Sequence, residues 1–253
     1  MKQWPIVLLT LLLWVSATPA VAAEIKVLSA GAMKSMVTEL AESFRQETGH
    51  TVAIATGTAG EIRQKVVSGE VADVVVVTDT VIEQLAVPGL IVVDTRADIA
   101  RTAIGVAVRQ GAPLPDISTT EAFKQSVLAA KSLVYVDPAR GATSGMHFAA
   151  VLQRLGIADA VKDKTVLWPA GYAAEALVTG QAELCVHQIS EILPVKGVTL
   201  VGPLPKELQK LTTYSAAVAT RSTTPEVARA FVSYLARPSL KPKLAAAGLD
   251  YRE

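Results

Sequence analysis

Three short segments of this chain share one chemistry. Ser29-Ala30-Gly31-Ala32, Gly57-Thr58-Ala59-Gly60 and Gly141-Ala142-Thr143-Ser144-Gly145 are built from small residues and hydroxyls. Small side chains let a ligand approach the backbone. A segment that opens a helix also offers the unpaired amides of its first turn and the positive end of its dipole. Together these make a cradle for an anion, and Thr58, Thr143 and Ser144 add hydroxyl donors. The same composition suits a plain helix cap, so the reading rests on three matching segments rather than on any one. None ends in the Gly-Lys-Ser/Thr of a nucleotide-binding loop. His187 and Gln188 stand side by side further along. Adjacent strand residues face opposite sides, so at most one of the pair is expected to reach a ligand. His187, His147 and Glu191 are the candidates for moving a proton, were the protein an enzyme. Lys34 and Arg140 flank two of the turns, where either could neutralise a carboxylate or simply be solvated.

The elements that must position these residues alternate. Glu24–Leu28 reads as a strand, and Met33, Met36, Val37, Leu40, Ala41 and Phe44 recur at helical spacing until Gly49. Thr51–Thr56 is a strand, Glu61–Ser68 a short helix, and Ala72–Val77 an apolar strand of the kind buried on both faces. A strand follows from Thr102 to Val108, then the Pro-rich stretch Pro113–Asp116, then a helix opened by the capping-box spacing of Ser118-Thr119-Thr120-Glu121. Leu133–Val136, Thr165–Trp168, Leu184–Gln188 and Thr199–Val201 read as strands, with helices over Met146–Leu155 and Tyr172–Thr179. Tyr214–Thr220 is a last strand before two helices, Pro225–Ala236 and Leu240–Ala247. Strand and helix in turn predict an α/β fold with mainly parallel sheets, in which every strand-to-helix turn lies at the ligand-binding edge.

Length and composition agree. With 253 residues, 51% hydrophobic and 19% charged, the chain can bury a sizeable core and is not disordered. The first 23 residues read as a signal peptide, 1–23: Lys2, an apolar run from Ile6 to Val15, then small residues to Ala22-Ala23. That run is too short to span a bilayer, so no membrane insertion is expected after cleavage. The chain carries 24 basic and 23 acidic residues, and losing Lys2 with the leader leaves the mature chain formally neutral. A nucleic-acid partner is therefore not expected. Cys185 is the sole cysteine, and His50, His147 and His187 are the sole histidines, so neither a disulfide nor a zinc cluster is predicted. No metal and no cofactor is expected, and the chain is read as a monomer.

The order of elements divides the mature chain into two lobes, 24–105 with 215–253, and 106–214. Two crossings, near Thr102–Val108 and Tyr214–Thr220, form a hinge.

Ile25–Ala32, Glu61–Asp73, Asp137-Pro138 with the turn after it, and Gly180-Gln181-Ala182-Glu183-Leu184 resemble the periplasmic molybdate-binding proteins of ABC transporters over almost the whole mature chain. The resemblance implies the two-lobed type II periplasmic binding fold, a periplasmic location, and the membrane component of an ABC transporter as partner. It also marks the positions of the family's oxyanion contacts. Two of its serines fall on Ala32 and on or beside Ala59, its tyrosine falls on Gln188, and further contacts fall near Thr143-Ser144 and Ala170. With those hydroxyls missing, a larger, planar organic anion is expected instead of a tetrahedral oxyanion. A second resemblance, to the secreted aconitate isomerases, is carried by Ala107–Pro113, Pro115–Ser118, Ala122–Gln125 and Gln188-Ile189-Ser190-Glu191-Ile192. The sequence thus leads to a solute-binding protein for a small anion, held by Ala32, Thr58, Ala59, Thr143, Ser144, Ala170 and Gln188. The alternative is an isomerase interconverting trans- and cis-aconitate.

Overall fold

The computed structural model describes residues 22–251. The expected signal peptide lies outside the described residues except for Ala22 and Ala23. Lobe one begins with β1 (Glu24–Ala30), α1 (Lys34–Thr48), β2 (Thr51–Gly57), α2 (Ala59–Val67), β3 (Val74–Thr78), α3 (Asp79–Ala86) and β4 (Ile91–Thr102). The chain then builds lobe two from β5 (Ile104–Arg109), α4 (Thr120–Ala129), β6 (Leu133–Val136), α5 (Thr143–Arg154), α6 (Ala158–Val161), β7 (Thr165–Trp168), α7 (Glu175–Val178), β8 (Leu184–Gln188), α8 (Ile189–Ile192) and β9 (Val198–Pro203). It returns to lobe one as β10 (Thr212–Ala219), α9 (Pro225–Leu235), α10 (Lys241–Ala246) and β11 (Asp250–Tyr251).

Each lobe has one sheet, ordered β11-β4-β10-β3-β1-β2 and β7-β6-β8-β5-β9. The parallel core read from the sequence is present, as β2-β1-β3 and β7-β6-β8. The strands that cross between lobes run against their neighbours: β10 pairs antiparallel with β3 and β4, and β5 with β8 and β9. Both sheets are therefore mixed. The apolar run Val74–Val77 is fully buried at the centre of lobe one, as strands covered on both faces require. In the same lobe α1 packs on α9, with Phe44 edge-on to Phe231 and Tyr234 at ring distances of 5.1 and 5.3 Å. Two apolar clusters fill lobe two, one around Phe123 and Phe148, the other around Ala173, Leu177 and Cys185.

The boundaries moved in informative ways. The single strand expected from Thr102 to Val108 is two strands in different sheets, separated only by Ala103. The return crossing lies just before Thr212, where Gln209 acts as a clasp. Its amide accepts from the Ile104 N–H at 2.9 Å and donates to the Ile104 carbonyl at 2.8 Å, so one side chain completes the backbone pairing of the outgoing crossing. The helix expected over Tyr172–Thr179 is confined to Glu175–Val178, which leaves Tyr172 on a loop. The helix expected from Met146 begins at Thr143, so the hydroxyl pair Thr143-Ser144 sits in its first turn. Lobe one is closed by a buried carboxylate. Asp73 accepts from the Lys26 N–H at 2.7 Å, the Ser222 hydroxyl at 2.6 Å, the Thr224 hydroxyl at 3.1 Å and the Thr223 N–H at 3.2 Å, tying β1 to the segment before α9.

Candidate functional site

The carboxyl ends of the strands in the two lobes face each other across a cavity of about 300 Å³. This is at the small end for a ligand site. All three small-residue turns line it, through Gly31 and Ala32, through Thr58 and Ala59, and through Ala142, Thr143 and Ser144. Ala170, Gln188, His187 and Glu191 line it as well. His147 does not: its ring is 2.7 Å from the Leu208 carbonyl, where it joins α5 to the segment before the return crossing.

The turns use their donors differently. Thr58 caps α2 in a full capping box. Its hydroxyl accepts from the Glu61 N–H at 3.1 Å, and the Glu61 carboxylate accepts from the Thr58 N–H at 2.9 Å. The same hydroxyl donates to the Arg140 carbonyl of lobe two at 2.5 Å. It is thus committed to the cap and to the opposite lobe, and only its backbone remains for a ligand. At the start of α5 the N-cap is Ala142, and no side chain caps the helix. Thr143 and Ser144 therefore do not have the capping role that their composition also allowed, and the first-turn amides of a twelve-residue helix stay open towards the cavity.

Ser144 meets His187. Its hydroxyl lies 3.1 Å from His187 Nδ1, and both residues are buried. His187 Nε2 is 3.0 Å from the Gly171 carbonyl. A carbonyl only accepts, so in the neutral tautomer Nε2–H donates to it and Nδ1 accepts the hydrogen bond from the Ser144 hydroxyl. The Glu191 carboxyl stands 3.6 Å from the same Nε2. Burial pushes the Glu191 carboxyl above the ordinary carboxylate range, and proximity to His187 only partly opposes this. Among the described residues no hydrogen bond reaches that carboxyl, so nothing but a ligand, water or a protonated His187 would favour its charge.

His187 and Gln188 both reach the cavity, against the alternation expected of neighbouring strand residues. The strand ends there: Gln188 is both the last residue of β8 and the N-cap of α8. The Gln188 amide nitrogen lies 3.4 Å from the Thr212 hydroxyl and 3.5 Å from Tyr214 Oη, and its carbonyl oxygen is buried without a partner among the described residues. Tyr214 is wholly inside, and burial pushes its phenol far up, with the Glu191 charge acting in the same direction.

Two bridges close the cavity at its rims. At one, the Arg140 guanidinium holds the Glu61 carboxylate, with Arg140 Nε donating at 2.9 Å, and the Gly60 N–H donates to the Gly141 carbonyl at 3.1 Å. Gly60 and Gly141 touch so closely that a Cβ on either would stand 2.8 Å from the other's Cα, so glycine is required at both. At the other rim, Lys34 Nζ lies 5.2 Å over the ring of Tyr172. In the sequence Tyr172 and Tyr214 stand only as the first residues of expected elements, not as site residues, and nothing there pairs Glu61 with Arg140. Thr58-x-x-Glu61 has legible capping-box spacing, but the tyrosines come from a loop and a crossing strand that no local pattern aims.

The family comparison agrees with the architecture. Residues 25–250 match the family model of bacterial extracellular solute-binding protein. The chain belongs to this family. Among curated relatives of this bacterial extracellular solute-binding protein is an aconitate isomerase from Pseudomonas sp, 34% identical over 247 residues, which span 94% of this chain and 93% of the relative. Solved structures with the same fold include the periplasmic molybdate-binding protein of Azotobacter vinelandii, with a TM-score of 0.78 at 21% identity, covering 90% of this chain and 100% of that one. The sulfate-binding protein of Mycobacterium tuberculosis aligns with a TM-score of 0.73 at 18% identity, over 91% of this chain and 88% of that one. The two-lobed architecture is thus shared with these proteins. Among the described residues no helix is long and apolar enough to cross a membrane.

Proposed function

We propose that the cavity binds a small unsaturated tricarboxylate and moves a proton along it, the reaction of an aconitate isomerase, in the periplasm. The observation that carries this reading is Glu191, a buried acid without a hydrogen-bond partner among the described residues, 3.6 Å from an imidazole and lining a cavity ringed by helix N-termini. Aconitate has a methylene group flanked by a carboxylate and by a double bond that bears the other two carboxylates. The base takes one methylene proton. The electron pair of that C–H bond forms the new double bond, and the far carbon of the old double bond takes up a proton as its electrons are released. Atoms and electrons balance without an oxidant, a metal or a cofactor. One group can act as base and then as acid when its proton affinity is near the ambient pH, and a carboxyl raised by burial moves towards that condition.

The remaining side chains have roles that fit. The open amides of α5 with the Thr143 hydroxyl, the backbone at Ala32 and the backbone at Ala59 are three places for carboxylates, with Lys34 and Arg140 supplying positive charge at the rims. Ala170 adds wall, and Gln188 reads the plane of the ligand. Ser144 holds His187, and His187 steadies the charged form of Glu191 as it cycles. The test is incubation of the purified protein with trans-aconitate and chromatographic assay for the cis isomer, beside the Glu191→Gln variant. Turnover by the wild type, cut by a factor of 10² to 10⁴ in the variant, supports the reading. Tight binding without turnover leaves the second reading.

That second reading is capture without conversion, for the membrane component of an ABC transporter. It is favoured by the membership of the extracellular solute-binding family and by rim contacts that join one lobe directly to the other.

A further inference from the structure

Glu191 belongs to lobe two, but part of its surroundings comes from lobe one. Gly31, the first residue after β1, lies directly against the carboxyl: a Cβ built on Gly31 would stand 2.5 Å from Glu191 Oε1 and 3.6 Å from its Cδ. Oε1 is also the oxygen 3.6 Å from His187 Nε2. The carboxyl is thus held between an imidazole of its own lobe and bare backbone of the other. Any side chain at position 31 would occupy the space of that oxygen. Gly31 does not have a positive φ, so the backbone itself does not ask for glycine there. A side chain there would instead make the buried Glu191 carboxyl give way.

We propose that Gly31 is a positioning residue for Glu191: its missing side chain lets lobe one close flush on the carboxyl and exclude water from it. The assignment of a reaction to this device rests on the isomerase reading above. In the closed form Glu191 is only 7% exposed. Parting the lobes removes Gly31 from Oε1 and lets water in. Closure therefore does two things at once, enclosing the ligand and converting an ordinary solvated carboxylate into a proton acceptor whose charge is poorly solvated. Lobe closure, rather than local chemistry alone, would then gate the proton transfer.

The other titrating and charged groups facing this point are few. His187 and the buried Cys185 thiol come from β8, Tyr214 from β10 and Tyr172 from the loop before α7, while Lys34, Arg140 and Glu61 line the same cavity. With these groups so near, the carboxyl must be read directly.

The experiment is a pH titration by infrared difference spectroscopy on the full chain with bound trans-aconitate. The Glu191 carboxyl band is assigned by its loss in Glu191→Gln, and wild type is compared with Gly31→Ala. The expected result is that the band of the Gly31→Ala protein titrates about one unit or more closer to the ordinary carboxylate range. The alkaline or acid limb of the turnover profile should move with it, and kcat should fall about tenfold or more with a smaller change in KM. A thermal melt confirms that the variant is folded. A Glu191 band that titrates identically in the two proteins overturns the proposal, whatever the activity. A band that shifts in a protein whose wild type converts nothing supports the positioning role and refutes the isomerase reading, so the two failures are distinguishable.

Discussion

Replacing Ser144 by Ala separates a binding or catalytic role from a structural one, and its magnitude can be worked from the contacts. Ser144 stands in the first turn of α5, whose N-cap is Ala142, so its hydroxyl has no capping bond to lose. What it loses is the 3.1 Å contact to His187 Nδ1, with serine and histidine each 98% or more buried. Removing one partner leaves the imidazole acceptor unsatisfied in a dry site, at a cost of about 1–3 kcal/mol. The free protein and the complex share that cost in so far as His187 stays put. The ligand contact belongs to Thr143, because the single Ser144 proton is given to His187: a hydroxyl bonded to a carboxylate contributes about 1.5–3 kcal/mol, or roughly a tenfold to 150-fold loss of affinity. Paired thermal melts and calorimetric titrations with trans-aconitate measure the two parts. The expected outcome for Ser144→Ala is a lower melting temperature, weaker turnover through a misplaced His187, and a modest loss of affinity. Adding Thr143→Ala should extend the loss of affinity into the range above with little further loss of stability. Undiminished affinity and turnover in the double variant would refute the placing of a carboxylate at this helix terminus.

Three further outcomes are expected. Molybdate should bind weakly, because Ala32 and Ala59 offer no hydroxyl; two missing donors at about 1–3 kcal/mol each weaken binding by about 30-fold to over 10⁴-fold if the losses add, and calorimetry giving submicromolar affinity would sink the argument. Asp73→Asn should destabilise the protein by about 3 kcal/mol in a denaturant melt at neutral pH, since a carboxylate with four donors cannot be matched by an amide that donates on one side. Burial works to raise the Asp73 carboxyl, but the bonds from Ser222, Lys26, Thr224 and Thr223 outweigh it and hold it below the ordinary range. Its folded form is therefore the weaker proton binder, and its stabilisation, complete above the unfolded pKa, should fade in wild type but not in Asp73→Asn as the pH falls through the folded value. Finally, ligand should favour the joined rims, so small-angle scattering should give a smaller radius of gyration at saturation than without ligand, and an unchanged radius would count against a hinge that closes on binding.

Much of the fold was legible because it is written locally. Val74–Val77 reads as a buried strand from composition alone, and α1 and α9 from apolar spacing. The cavity was legible for a related reason: turns of one composition at strand ends must share an edge in such a sheet, and here all three reach one cavity. What the sequence hid is set by chain paths between lobes. The strand Ile91–Thr102 alternates only over Asp94–Ile99, its register against β10 shifts twice, and its neighbours come from the far end of the chain. The side chain of Tyr214 is aimed into the cavity by a crossing strand, and the pairing of Arg140 with Glu61 depends on closure, so no spacing announces either. The burial of Glu191 was hidden most deeply. Glu191 looks like an acid at the start of an exposed helix; it is buried because α8 lies at the hinge, with Gly31 of the other lobe against it.

The most direct test of the account is to follow the vinyl protons of aconitate by NMR, starting once from the trans and once from the cis isomer, with wild type and Glu191→Gln at equal concentration. The account predicts that the two wild-type reactions converge on one ratio of isomers, and that Glu191→Gln still binds the ligand but approaches that ratio at least a hundredfold more slowly, in keeping with the loss of a general base. Ligand binding without conversion in either direction, or equal rates in wild type and Glu191→Gln, would contradict it.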